Sequence, residues 1–183
     1  MTEQEMIQAA LELGFADTAL IHTDQLVFLP QFRPLCQENL CGKYGVNYAC
    51  PPDCGDPEDM KERVLRYPRA LVLQTMWNID DPMDEKQTKP AKGQHNRMTM
   101  ELRQRLDQPS LMIGASGCSL CDPCAIVEGK PCRFPDKQFS CMSAYCIFVR
   151  ELCQRCGMEY DCGPGMVAFF SMPVSYTHLR AHE

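Results

Sequence analysis

What the chain lacks narrows its function first. It has no run approaching about 18 consecutive apolar residues, so no membrane-spanning helix is expected. The opening stretch, MTEQEMIQAALELGF, is acidic and helix-forming, unlike a signal peptide. Positive charge is in deficit: 18 Lys and Arg stand against 24 Asp and Glu, for a net charge of -6 and a pI near 5.2. That balance argues against a general nucleic-acid surface. There is no glycine-rich phosphate loop, no dinucleotide glycine motif and no H-E-x-x-H pair of metal-binding histidines. Nothing supports a hydrolase triad, and the absence of C-x3-C-x2-C argues against a self-contained radical enzyme. Histidine is scarce, at four residues. His22 and His95 are left as minor candidates for a ligand or proton carrier.

Cysteine is what the chain has in quantity. There are 13 among 183 residues, an odd number that leaves one thiol over in any all-disulfide scheme. With no signal-like start and with tight C-x2-C spacings, metal ligation in a reducing cytoplasm is the better expectation. An oxygen-sensitive centre of this kind would suit an anaerobic cell.

The stretch Gly117–Pro135, GCSLCDPCAIVEGKPCRFP, carries Cys118, Cys121 and Cys124 at C-x2-C-x2-C, then Cys132. Thiols so spaced fit neither one helix face nor one strand face. They converge only if the backbone wraps around something, and soft thiolates suit a soft metal. Structural zinc accepts four thiolates but usually takes them from two separated knuckles. Three ligands crowded into one loop favour a cubane-type iron–sulfur cluster, with the fourth thiolate supplied from farther along. Zinc and plain structural thiols remain the alternatives, and Cys132 could serve this centre or a neighbouring one. Lys130 and Arg133 are cations near enough in sequence to raise a cluster's potential.

A second group, Cys36, Cys41, Cys50 and Cys54, follows the less specific pattern C-x4-C-x8-C-x3-C, interrupted by Pro51-Pro52. The fixed φ of proline would pre-organise ligand direction. A second centre, iron–sulfur before zinc, is the expectation; a thiol pocket that shields the first centre is the alternative. Tyr44 and Tyr48 read as core packing, or as a wall against water. Cys141, Cys146, Cys153, Cys156 and Cys162 form a looser group. Cys153 and Cys156 could be a redox pair, but helix cysteines packing as small hydrophobes fit better.

The rest of the chain predicts an α/β or α+β fold: a small mixed sheet flanked by helices, with two cysteine-rich metal-binding loops. Helices are expected over Glu3–Leu13, from an Asp56 cap to near Pro68, over Asn96–Leu106, and along the stripe Met142, Tyr145, Val149, Leu152 and Cys156. Strands are expected at Ala19–His22, Leu26–Leu29, Ala70–Met76, Ser110–Ala115 and Val167–Met172. Asn78–Gly93, polar and with two prolines, predicts a surface loop or lid. Residues 1–172 read as one cysteine-rich metal-binding domain. Residues 173–183, PVSYTHLRAHE, read as a non-native tail resembling translated adapter sequence, and His178 and His182 are set aside with it.

Cys36 with Cys41-Gly42-Lys43-Tyr44, then Cys50-Pro51-Pro52, and the block Gly117-Cys118 through Cys121, Cys124, Pro131-Cys132-Arg133 and Pro135 resemble a family of predicted metal-binding proteins, domain of unknown function 2284. Met142, Ala144, Tyr145 and Ile147 continue the likeness, which runs from about Met6 to Phe170. The resemblance implies a small cysteine-rich metal protein, mostly of anaerobic bacteria and archaea, with no settled reaction to carry over. Members usually have glycine where this chain has Cys146 and an acidic residue where it has Ser143. The functional expectation is an iron–sulfur protein, with one or two [4Fe-4S] clusters, acting in electron transfer with a redox protein partner. A zinc-stabilised interaction module and an iron–sulfur enzyme with an open cluster site are the alternatives.

Overall fold

A computed structural model describes residues 1–106 and 108–176. In chain order the elements are α1 (Glu3–Glu12), β1 (Asp17–His22), α2 (Arg33–Gln37), α3 (Pro57–Leu65), β2 (Arg69–Asn78), α4 (Glu85–Arg105), β3 (Ser110–Gly114), β4 (Ser140–Cys141), α5 (Val149–Cys156) and β5 (Met166–Ser175). The five strands form one mixed sheet in the order β1-β2-β5-β3-β4. Every pairing is antiparallel except β3 with β4.

Strand alternation gives the sheet two packed faces. On one, Ala70, Val72, Ile113, Phe170, Met172 and Val174 meet Met60 and Val64 of α3 and Leu152 and Cys153 of α5. On the other, Leu71 and Leu73 meet Met6, Ala9 and Ala10 of α1 and Leu102 of α4. The helix starts follow local rules. Thr2 and Glu5 make a reciprocal capping box on α1. Asp56 accepts the Asp59 N–H at 2.9 Å, and Pro57 occupies the first turn of α3.

Three expectations change. Asn78–Gly93 is not a loop: β2 runs to Asn78, and α4 starts at Glu85, capped by Asp84. Its buried positions, Thr88, Ala91, His95, Asn96, Thr99 and Leu102, recur at helical spacing but are mostly polar, so no apolar stripe announces them. Leu26–Leu29 is not a strand; it keeps one bridge, Phe28 to Ile147, after a short 3-10 turn. The stripe from Met142 is helical only from Val149, because Cys146 takes a left-handed φ of 58°. Glycine suits that conformation best. At the other end of the sheet, β5 includes Pro173, Val174 and Ser175. Val174 is fully buried and pairs with Ala70 and Leu111. The packed sheet therefore continues past residue 172, while residues 177–183, with His178 and His182, lie outside the described residues.

Among the described residues no helix is long and apolar enough to cross a membrane.

The polar stripe of α4 has a structural purpose. His95 is fully buried, with Nδ1 2.6 Å from Thr75 Oγ1 of β2 and Nε2 2.7 Å from Ser171 Oγ of β5. It is a bridge between helix and sheet, remote from the cysteine loops in its partners. Burial pushes its pKa from 6.5 down to about 3. Between those values the unfolded chain takes up a proton that the folded chain refuses. The stabilisation is complete above the unfolded value and is lost as pH falls toward 3, by up to about 1.4 kcal/mol per pH unit. Denaturant unfolding followed from pH 7 to pH 4 should show this slope, and His95→Gln, which cannot titrate, should flatten it. An unchanged slope in the variant would exclude His95 as the titrating group.

Candidate metal centre

The topology brings the two cysteine segments to one region. A parallel pair of strands needs a crossover connection. Between β3 and β4 that connection is residues 115–139, the loop carrying Cys118, Cys121, Cys124 and Cys132. The first segment, with Cys36, Cys41, Cys50 and Cys54, fills the stretch from α2 to α3. Among the described residues, the cis peptide bonds are Pro51–Pro52 and Asp122–Pro123, one in each cysteine segment.

The segments are laced together. Lys43 Nζ donates to the carbonyls of Gly117, at 3.0 Å, and Cys118, at 3.3 Å. Asn47 Nδ2 donates to the Cys118 carbonyl at 2.9 Å, and Tyr48 OH donates to the Lys130 carbonyl at 2.8 Å. A Cβ added at Gly117 would stand 2.7 Å from Cys50 Sγ. Glycine there lets the second loop lie directly on a thiol of the first. Arg33 ties the same region to the core, donating to the Gly55 carbonyl at 2.7 Å and the Ala144 carbonyl at 2.8 Å.

In the second loop, Cys118, Cys121, Cys124 and Cys132 are all half-buried. Burial raises the Cys118 pKa, and the nearby Cys121 and Cys132 raise it further, so Cys132 does stand close to this group. Backbone N–H groups of Leu120 and Phe139 donate toward the Cys118 sulfur and oppose the rise. Of the two expected cations, Arg133 hydrogen-bonds the Cys121 sulfur, which holds its own pKa above the ordinary range. Arg133 and Lys130 both pair with Glu128, at 3.1 and 2.9 Å.

In the first segment, Cys50 and Cys54 are buried, Cys36 is half-buried and Cys41 is exposed. Burial, then the nearby Cys141, pushes the Cys50 thiol up to about 12, against the opposing pull of Lys43. Cys36 is raised by the same two causes in the same order. Burial pushes Cys54 up to about 11, with Arg33 and Arg63 opposing. Cys141, at the end of β4, is the residue that sequence reading missed. Nothing in the local spacing could signal it, because it reaches this group only through the β3–β4 pairing. Cys153, Cys156 and Cys162 stand apart, at the α5 end, where burial dominates their pKa values.

A mixed α/β protein with two interlaced thiol loops is thus the class that fold and site define. Eight of the thiols lie on these two loops, and as thiolates they suit a soft metal. Among the described residues no three Cys, His, Asp or Glu side chains are already closed to metal-holding distance. The thiols are gathered rather than clenched. The profile of the predicted metal-binding protein family, domain of unknown function 2284, matches residues 19–173, and the chain belongs to that family. No curated protein and no solved structure matches it.

The Gly117–Cys50 contact is the point where the two cysteine loops touch most closely through a glycine. Gly117→Ala should cost about 1–3 kcal/mol through overpacking and expose Cys50. Denaturant unfolding and the alkylation rate of Cys50 measure the two effects, and a variant matching the parent in both would show that the contact is loose.

Proposed function

We propose that the protein is an iron–sulfur protein of the cytoplasm that passes electrons to and from a docked redox protein, using one centre in each cysteine loop. The observation that carries this reading is the lacing of a C-x2-C-x2-C loop onto a second thiol group through Lys43, Asn47 and Gly117. Two thiol groups on one joint suit two centres in electronic contact better than two independent structural staples.

Cys118, Cys121, Cys124 and Cys132 would hold one centre, and thiols of the first segment, Cys36, Cys41 and Cys50 foremost, the other. A cluster so held would supply reversible one-electron chemistry. The chain's contribution is to shape the potential. Backbone N–H groups directed at the Cys118 sulfur and Arg133 at Cys121 stabilise negative charge on the ligands and so favour the reduced state. The exposed side chains of Leu35, Leu40, Val127 and Phe134 lie on the two cysteine segments, where a partner would approach.

Protein purified without oxygen should be brown, with about four irons per centre by metal analysis. Cys121→Ser should lose one centre and loosen its loop, since metal binding and local folding are coupled. Colourless protein containing stoichiometric zinc would overturn the iron–sulfur reading in favour of a zinc-stabilised module. Full metal content in Cys121→Ser would remove Cys121 from the ligand set.

A further inference from the structure

The first segment offers four thiols by sequence, but one of them is turned elsewhere. Cys54 Sγ points to Met60 Sδ at 3.4 Å, inside the apolar cluster that α3 forms with the sheet. Its backbone is equally engaged: Arg63 Nη2 donates to the Cys54 carbonyl at 2.6 Å. Moving this thiol out to a metal would open a gap beside Met60, which is itself fully buried.

Cys141 has the opposite disposition. It ends β4, in register with Gly114, so the sheet edge fixes its backbone. Burial raises its thiol pKa, and backbone N–H groups of Ala144 and Ser143 turned toward its sulfur oppose that rise. Donors so placed stabilise a thiolate, and they are what a metal-bound sulfur uses as support. The loop that provides them is braced by Arg33, through the Ala144 carbonyl, from α2, the helix that bears Cys36. Cys141 is also the common neighbour of the group. Among the thiols acting on Cys36, on Cys50 and on Cys54, it acts most strongly on each, and Cys41 acts on it in turn. Cys41 likewise acts on both Cys36 and Cys50.

We propose that Cys36, Cys41, Cys50 and Cys141 are the four thiolate ligands of the first centre, and that Cys54 is a core residue packed on Met60. The assignment rests on the reading above that the first segment holds a metal. It makes that centre composite: three ligands come from the segment between α2 and α3, and the fourth comes from the strand that closes the second cysteine loop. Loading one centre would thereby brace the loop of the other.

The test compares metal content and visible spectra of the parent with Cys141→Ser and Cys54→Ala, all purified without oxygen and checked for folding by circular dichroism. Cys141→Ser should lose about half the metal and visible absorbance, the share of one of two centres, while Cys54→Ala keeps both. Retention of full metal by Cys141→Ser, or loss of half by Cys54→Ala, would overturn the assignment while leaving the metal reading intact. Parent protein without metal would instead sink both. A second measurement avoids substitution. Iodoacetamide labelling of the parent, mapped by mass spectrometry before and after chelation, should show Cys141 protected only in the metal-loaded protein. Cys54 should react equally slowly in both. Metal-dependent protection at Cys54 and none at Cys141 would reverse the assignment.

Discussion

The constraint on which this structure depends is that its gathered thiols cannot ionise together without a cation. Burial first, and then the neighbouring thiols led by Cys141, push Cys50 up to about 12. Lys43 relieves part of that load while its ammonium holds the carbonyls of Gly117 and Cys118. One lysine thus serves as a local counter-charge and as the clasp between two loops. A metal that converts thiols to bound thiolates would relieve the remainder, which is why such centres couple binding to folding.

The sheet's part is placement. Using a cysteine loop as the crossover from β3 to β4 anchors both ends of that loop in adjacent strands. It also delivers Cys141 to the far group. The polar bridge of His95, Thr75 and Ser171 fastens α4 to the opposite face of the sheet. Cys146 holds a left-handed turn, a conformation that glycine adopts at least cost.

Local chemistry made much of the fold legible. Helical spacing of apolar residues announced α1, the Asp56 cap announced α3, and alternating or continuous apolar runs announced β1, β2, β3 and β5. Reading failed where the signal was not apolar. The buried stripe of α4 is mostly threonine, histidine and asparagine, so a long helix looked like a lid. It failed again where pairing partners were distant. Leu26–Leu29 has the composition of a strand, but its neighbour Ile147 lies in an irregular loop that offers one bridge and no ladder.

The two cysteine segments and the thiol-rich character of the site belong to the sequence alone, since close C-x2-C spacing cannot be hidden by folding. Which thiols meet belongs to the tertiary structure. Cys54 sits four residues after Cys50 yet turns to Met60, while Cys141, far along the chain, arrives beside Cys36 and Cys50. The physical reason is that a side chain's direction is set by the packing around its backbone, and that packing is assembled from segments that share no local pattern.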